Sequence, residues 1–524
     1  MPSKDRQAAG RKVVRVVFTA LLLDLMAFTM PLPLFPRIIE DFVRQEALSP
    51  SSTPTLLSRT MSFVRTLRAY LFSFASSTRT PFQVGDSRWD LTLLGGLLAS
   101  LFSLCQFLVS PHIGRLSDTH GRRAVLLSTM LGNLASAALW LFAGSFEVYA
   151  LSRVVGGLSE GNVQLSIACI SDVTSPEERA RSLALVGAAF SLAFTVGPSV
   201  GAYLSQRAFA PGGVVQLPFW NREMRVNAYA VPAAMTLVLL LVETVYLWAC
   251  LPESRGWQTG DNATAGADEP PSSAPSRDPS SPKTPPGTIP PPLADPSARL
   301  STLSTTHLLF LFCFSGAEFT LTFLTHALFR FSNASNGRLL GFVGLVSAAL
   351  SGGYVRRLRG TGSGSARLAQ RGMWACAAAM GLLALLPALA EREGARAQGA
   401  TSVVAKAALW SAAALLAFVS ATVVTSLSAL ASSAASSSSP SSSSSSPGGT
   451  PRGGSGAALG AFRSAGQLGR ALGPLVFTAV YWTCGPAVAY AAGAVGVVGV
   501  AGRMGRVRRE EERREGVKVG GKGE

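Results

Sequence analysis

The sequence predicts an all-α membrane protein whose twelve transmembrane helices form two six-helix bundles. Three observations support this expectation. Hydrophobic residues make up 48% of the 524 residues and charged residues only 14%, whereas a soluble domain carries about 25% charged residues. Apolar runs that could each span a bilayer, which takes about 20 residues, recur along the chain. A segment rich in Pro and Ser falls midway and divides these runs six and six.

Twelve apolar segments are candidate spans. Their centres lie near residues 24, 101, 134, 159, 192, 240, 315, 346, 380, 415, 470 and 493. The first run, at about 13–35, is longer than the core of a signal peptide and has no small-residue cleavage site, so we expect it to be a retained helix.

The spacing of the spans predicts the domain organisation. Residues 1–253 should form the first bundle and residues 301–503 the second. The segment 254–300 between them is rich in Pro and Ser, a composition typical of a flexible linker, and we expect it to be disordered. Residues 504–524 should form a basic tail.

Two further insertions interrupt the spans. The loop 37–90 between spans one and two is long, and within it residues 63–74 could form a short surface helix. The Ser-rich tract 432–456 between spans ten and eleven has a composition that does not support a packed core, so we expect disorder there.

The distribution of basic residues predicts the orientation. The net charge of +17 comes from short segments between apolar runs and from the tails, which suits a membrane surface better than nucleic acid. With the N-terminus in the cytosol, the inner short loops carry Arg179, Arg181, Arg356 and Arg357, while the outer short loops carry almost none. The positive-inside rule then places both termini in the cytosol.

The segment from Gly114 to Arg123, GRLSDTHGRR, lies between spans two and three and should form a tight turn. Its one carboxylate faces three arginines, so the segment can form a charge-assisted clamp. Alternatively, the basic residues of this loop could only set the orientation of the spans in the membrane, as the positive-inside rule describes. The candidate gating residues in this clamp segment are Gly114, Asp118, Gly121, Arg122 and Arg123.

Charged residues inside the first bundle are candidates for proton coupling. Asp24 is the only ionisable residue deep in span one, and it could either carry a proton or make a structural hydrogen bond to a neighbouring helix. In span four, offsets of 0, 4, 7 and 11 put Arg153, Gly157, Glu160 and Gln164 on one helical stripe. A charge at mid-membrane depth costs at least ~2.5 kcal/mol and should face protein or water. Arg153 and Glu160 could also simply pair with each other.

The second bundle carries its own charged positions. Glu318 lies in span seven, and Arg463, Gln467 and Arg470 are spaced at 0, 4 and 7 in span eleven. Two arginines on one stripe facing a cavity would attract an anionic substrate. The alternative for Arg463 is a position near the membrane surface, where its side chain would snorkel to water.

Span five contains Gly197-Pro198 and span eleven contains Gly473-Pro474, at matching places in the two sets of six. Gly and Pro bend a helix and let a neighbour approach closely. The match indicates a parallel repeat of two halves, which is how many secondary transporters build a central site.

These motifs together resemble the major facilitator superfamily. The clamp segment resembles the signature loop between the family's second and third helices, although Thr119 stands where the family usually has arginine. The run containing Arg153 resembles the family's fourth-helix motif, whose arginine is linked to proton coupling, and Gly197-Pro198 resembles its antiporter motif. Segments 21–29, 156–163, 318–326 and 463–482 look like the tetracycline-transporter-like branch. That resemblance implies a proton-linked antiporter, with organic anions or drugs as substrates.

The hypothesis is therefore a secondary transporter that exchanges protons for small amphipathic organic molecules by alternating access. The expected proton-coupling residues are Asp24, Arg153, Glu160 and Glu318, and the expected substrate-binding residues are Gln164, Arg463, Gln467 and Arg470. We expect a monomer without cofactor or metal, and no ATP-binding loop or nucleophile–base pair suggests an enzyme. A uniporter, or a receptor or scaffold that does not transport, remains an alternative.

Overall fold

The structure is a computed structural model. It describes residues 3–31, 34–48, 53–74, 87–205, 214–216, 223–225, 229–255, 257, 296–331, 333–355, 357, 362–394, 403–437 and 454–520. Almost all of these residues are helical, which confirms the predicted all-α class. The exception is a short antiparallel hairpin between spans five and six, β1 (Val214–Gln216) with β2 (Glu223–Arg225), which the sequence did not predict.

The helices follow one another in chain order. The first half contains α1 (Ser3–Thr29), α2 (Phe35–Leu48), α3 (Leu56–Phe74), α4 (Ser87–His120), α5 (Arg122–Leu141), α6 (Phe146–Ser159), α7 (Asn162–Val173), α8 (Pro176–Ser205) and α9 (Ala230–Cys250). The second half contains α10 (Pro296–Phe329), α11 (Asn333–Leu350), α12 (Gly362–Gly394), α13 (Val403–Ser437), α14 (Ser455–Cys484) and α15 (Pro486–Gly520).

The centre of every predicted span falls on a helix. Within the described ranges, nine helices are long and apolar enough to cross a membrane. The other three predicted spans are α1, the pair α6 and α7, and α14. Asp24 lies in α1, Glu160 at the break between α6 and α7, and Arg463 in α14. These charges and the break lower the mean hydropathy of the three spans, which also hold the candidate site.

Span four is not one helix. Helix α6 ends at Ser159 and α7 begins at Asn162, with Glu160 and Gly161 at the break. The predicted single stripe from Arg153 to Gln164 is therefore wrong, because a break in the helix changes the direction of the residues beyond it.

Two predicted boundaries also need correction. The loop 37–90 holds two helices, α2 and α3, and α3 begins at Leu56 rather than at residue 63. The Ser-rich tract begins inside α13, where Ser432 is buried and shares a hydrogen bond of 2.7 Å with Ser171 of α7. Its residues 438–453 lie outside the described residues.

The linker and the tail differ from the prediction at their described ends. The last five residues of 254–300 form the first turn of α10, while residues 258–295 lie outside the described residues. The tail is not separate, because α15 continues through residue 504 as far as Gly520. Glu511 of this extension forms an ion pair of 2.6 Å with Arg299 of α10, which ties the extension to the second bundle.

The two halves meet along α4 and α14. Ser100 Oγ donates to the Ala471 carbonyl over 2.6 Å, and Ser464 Oγ donates to the Phe107 carbonyl over 2.7 Å. A second seam joins α8 to α11, where the Ser191 and Ser347 hydroxyls lie 2.9 Å apart. We call the end of the molecule at Asp118, Asp172 and Glu511 the terminal face.

Candidate functional site

The clamp segment joins the two halves at the terminal face. The Asp118 carboxylate accepts hydrogen bonds from the backbone nitrogens of Gly456, over 2.9 Å, and Ala457, over 2.8 Å. These nitrogens belong to the first turn of α14, whose unpaired N–H groups and positive dipole end favour an anion. Asp118 of the first half therefore caps a helix of the second half.

Arg122 is the centre of this contact. Its guanidinium lies 2.7 Å from Asp118 and 3.0 Å from Asp172 at the end of α7. It also donates to Ser455 Oγ over 2.9 Å, on the residue that begins α14. The residue is only 3% exposed, so its charge is held by partners on several helices rather than by water.

The turn itself is shorter than predicted. Only Gly121 breaks the helix between α4 and α5, with a φ of 95° that favours glycine. The Glu253 carboxylate accepts from the backbone nitrogens of Arg122, over 2.8 Å, and Arg123, over 3.2 Å, and so caps α5. Arg123 points elsewhere, since its guanidinium donates to the Trp248 carbonyl over 2.6 Å.

Thr119 departs from the family pattern, but a guanidinium still reaches this position. Arg255, just beyond α9, donates to the Thr119 carbonyl oxygen. Gly114 also has a clear role at this contact, because a Cβ there would collide with the Gly456 carbonyl. The candidate gating residues therefore lie together, with Asp118 and Arg122 at the contact between halves and Arg123 beside it.

A second group of charges lies in the spans, around Asp24. This carboxylate is 4% exposed and accepts a hydrogen bond of 2.8 Å from Asn162 Nδ2. Asn162 is the first residue of α7, so the break in span four places it against α1. Asp24 also interacts electrostatically with Glu160 of the break and with Arg463 of α14.

Glu160 and Glu243 extend this group. Glu160 accepts a long hydrogen bond of 3.4 Å from Asn133 of α5 and interacts electrostatically with Arg463. Glu243 of α9 is 1% exposed, its Oε2 has no hydrogen-bond partner, and its charged neighbours include Asp24 and Glu160. From the sequence Glu243 is only a weaker site candidate, although it shows the signal that identified Asp24, a lone carboxylate in an apolar span.

The arginines of α14 face these carboxylates from the other half. Arg463 interacts with Asp24 and Glu160, and Arg470 with Glu318 of α10. Arg463 therefore does not snorkel to the membrane surface. Glu318 is exposed in the middle of α10, while Gln467, between the two arginines, is buried.

Two predicted site residues do not join this group. Arg153 lies over the ring of Tyr149, with its guanidinium carbon 5.5 Å from the ring centroid, and donates a hydrogen bond of 3.4 Å to Ser152 Oγ. Gln164 donates over 3.1 Å to the Ser110 carbonyl of α4. In this conformation Asp24 is hydrogen-bonded by Asn162 and interacts electrostatically with Arg463, whereas Arg153 lies on Tyr149.

His307 lies near the start of α10, yet it is buried. It lies between α10 and α14, where its ring stacks on Phe462 with centroids 4.4 Å apart. Gly466 makes room for this ring, because a Cβ there would collide with it.

The two Gly-Pro pairs occupy equivalent places. Helix α8 passes through Pro198 without a break, and a Cβ on Gly197 would collide with Thr29 of α1. Helix α14 likewise passes through Pro474, and a Cβ on Gly473 would collide with the Phe312 carbonyl of α10. Span five therefore packs on span one as span eleven packs on span seven, in agreement with the repeat of halves.

A family comparison decides the classification. The model of the Major Facilitator Superfamily matches residues 17–474, which is most of the chain. The chain belongs to the major facilitator superfamily. It is accordingly a multi-pass integral membrane protein of a transporter family and not an enzyme, and the resemblance identified from the clamp segment is confirmed.

Individual members of the superfamily are similar to this chain over different shares of its length. The chain is 32% identical to major facilitator superfamily domain-containing protein 10 of Mus musculus over 490 residues, covering 93% of this chain and 91% of the relative. It is 36% identical to the class C tetracycline resistance protein of Escherichia coli, over 109 residues that cover 21% of this chain and 28% of that one. The crystal structure of the human organic anion transporter MFSD10 (TETRAN) superposes with a TM-score of 0.67 and 28% identity, covering 94% of this chain and 99% of that one.

Proposed function

We propose that this superfamily member is a proton-coupled antiporter of small amphipathic organic molecules that works by alternating access. The observation that carries the proposal is the position of Asp24. It lies in span one, accepts a hydrogen bond from Asn162 and interacts electrostatically with Arg463 of the opposite half. A proton on this carboxylate would change the attraction between the two halves, as coupled transport requires.

The proposed mechanism uses the clamp as the gate of one state. With Asp118 on the first turn of α14 and Arg122 between Asp118 and Asp172, the terminal face is closed. Opening this face must release these contacts together, because Arg122 is buried and needs its partners. The clamp would thus have a closed and an open state, and protonation or substrate binding in the spans would shift the equilibrium between them.

The proposed substrate class is an organic anion or an anionic drug. Arg463 and Arg470 carry fixed positive charge into the space between the halves, and the human structural relative is named an organic anion transporter. Guanidinium groups recognise carboxylates and similar anions through paired hydrogen bonds.

One observation favours a second candidate, proton–anion cotransport. Arg463 interacts electrostatically with Asp24 and Glu160, so an anion bound to Arg463 would compete with these carboxylates. Carboxylates that lose their counter-charge inside a span bind protons more readily. An anion would then enter together with a proton, whereas a cationic drug bound to the carboxylates would displace one.

A flux assay separates these modes. Purified protein in proteoliposomes with a pH-sensitive dye in the lumen is given labelled organic anions and cations at equal pH on both sides. Antiport predicts that substrate uptake raises the luminal pH, and cotransport predicts that it lowers the pH. Uptake without any pH change would indicate a uniporter. If no compound of the panel is taken up, the transport proposal is contradicted.

The proposed orientation places the terminal face, and with it both termini, in the cytosol. Arg122, Arg123, Arg179 and Arg181 lie near this face, in keeping with the positive-inside rule. Tags on the two termini should be reached by antibody only after the surrounding membrane is permeabilised. Labelling of intact cells at either tag would contradict this orientation. We expect a monomer as the transporting unit.

A further inference from the structure

A basic groove lies between α12 and α15 of the second half. It encloses about 220 Å³ and is lined by Arg367, Gln370, Arg371, Trp374 and Arg508. None of these residues belongs to the clamp or to the charged group around Asp24, so the groove is separate from the proposed transport path.

Close packing of the two helices forms the floor of the groove. A Cβ on Gly505 of α15 would lie 2.8 Å from Gln370 Nε2, so the Gln370 side chain packs directly against this glycine. Gln370 Nε2 in turn donates to the Ala501 carbonyl over 3.4 Å. Gln370 of α12 therefore contacts α15 on the floor of the groove, between the arginines of the two helices.

The arginines are held in place but incompletely neutralised. Arg367 donates to Ser363 Oγ over 3.2 Å, and Arg371 to Tyr354 Oη over 3.5 Å. The acidic neighbour Glu512 lies 4.0 Å from Arg367 Nε and 3.8 Å from Arg508 Nε. Both distances exceed the 2.7–2.9 Å or so of a charge-assisted hydrogen bond.

One guanidinium nitrogen of the groove lacks a hydrogen bond. Arg508 Nε is inaccessible to solvent and has no hydrogen-bond partner. A buried N–H donor without a hydrogen bond is unfavourable, so the Arg508 guanidinium is incompletely neutralised by the protein around it.

The groove carries residue types that are typical of the membrane–water interface. Arg367, Arg371 and Trp374 follow one another at intervals of four and three residues, so they form one exposed stripe on α12. Trp374 is 48% exposed, as expected for an aromatic anchor at the membrane interface. Glu515, further along α15, accepts from Ser363 Oγ over 2.5 Å at the start of α12, which places the groove near the terminal face.

We propose that this groove binds the phosphodiester headgroup of an anionic phospholipid. Guanidinium groups pair with phosphate oxygens through two parallel hydrogen bonds, and basic pockets between transmembrane helices are suited to anionic headgroups. The bound lipid joins α12 to α15 and stabilises the second bundle.

The test compares thermal unfolding of the purified full-length protein in nanodiscs of phosphatidylcholine alone or with added phosphatidylglycerol. The groove variant is Arg367→Gln with Arg371→Gln. The control variant, Arg506→Gln with Arg509→Gln, removes the same charge from exposed positions of α15 outside the groove. Phosphatidylglycerol should raise the unfolding midpoint of the wild type and the control by several degrees, and that of the groove variant by less than half as much.

Native mass spectrometry supplies a second readout that does not depend on stability. The wild type and the control should retain one more phosphatidylglycerol than the groove variant, and the single change Arg371→Gln serves if the double variant unfolds. Equal lipid retention and an equal shift in all three proteins would overturn the proposal. Inorganic phosphate in phosphatidylcholine nanodiscs should have no effect, and a shift equal to that of the lipid would overturn the assignment to a lipid.

Discussion

The Asp24 carboxylate accepts a hydrogen bond of 2.8 Å from the side-chain nitrogen of Asn162. Asn162 can make this contact because it begins α7, directly after the break at Glu160 and Gly161. A discontinuous span thus brings a hydrogen-bond donor to a buried carboxylate in another helix, an arrangement that transporters use at their central sites.

Asp24→Asn should separate coupling from substrate movement. The amide mimics a permanently protonated carboxyl group, so accumulation driven by a pH gradient should be abolished. Counterflow of substrate against substrate should persist, because it requires no net proton movement. Both are measured in proteoliposomes with labelled substrate.

The control for this change is Glu40→Gln, which removes a carboxylate from an exposed position of α2. It should leave both activities unchanged. If Asp24→Asn still concentrates substrate with pH as the only driving force, coupling resides elsewhere, and Glu160, Glu243 and Glu318 become the next candidates.

Arg463→Gln should weaken the binding of an anionic substrate. Removing one partner of a buried charge pair costs about 2–5 kcal/mol, so KM should rise at least about tenfold. Arg338→Gln, at an exposed position of α11, is the matched control and should not change KM. An unchanged KM in the Arg463 variant would remove this residue from the substrate site.

Asp118→Ala should open the terminal face. It removes the acceptor of two backbone hydrogen bonds and one ion pair of Arg122. Each hydrogen bond to a charged group contributes about 1.5–3 kcal/mol, so the closed state should lose at least about tenfold in population. Spin labels placed on α4 and α14 at this face should report longer distances, and transport should fall strongly while expression is maintained.

Arg115→Ala is the matched control for the clamp, because Arg115 is an exposed residue of the same helical turn. It should keep both the short distances and the transport rate. Normal flux and unchanged distances in Asp118→Ala would mean that the segment only determines topology.

Gly197→Ala should destabilise the packing of α8 on α1. The added methyl group would collide with Thr29, and overpacking of this kind costs about 1–3 kcal/mol. Gly381→Ala in α12 is the control, because nothing lies within 4 Å of its Cβ position and alanine favours a helix by about 1 kcal/mol. Thermal unfolding should show a lower midpoint for the first variant only, and equal midpoints would argue against close contact at Gly197.

Much of the fold could be predicted from local sequence. The apolar runs located the centre of every span, because each span must be largely apolar over the thickness of a bilayer whatever its neighbours are. In three spans charge or a break lowers the hydropathy, and nine of the described helices are apolar enough to cross a membrane by hydropathy alone. The clamp segment, the Gly-Pro pairs and the charges at Asp24, Glu160 and Arg463 were also visible, since a charge or a helix-bending pair within an apolar run is a local anomaly. Glu243, a weaker candidate from the sequence, met the same criterion.

Tertiary structure decided which of these residues meet. Arg153 and Arg463 have the same side-chain chemistry, and spacing within a helix does not show which of them approaches Asp24. The packing of α14 against the first half brings Arg463 near Asp24, while Arg153 lies on Tyr149. The sequence contains no proline at the break in span four that would have predicted it. The Asp118 carboxylate binds residues of α14 more than 300 positions away in the chain. The sequence alone therefore determined the number of spans and the kinds of charge they carry, because both depend on the transfer of single segments into lipid. The partners of those charges depend on contacts between segments distant in sequence, and only the packed structure specifies them.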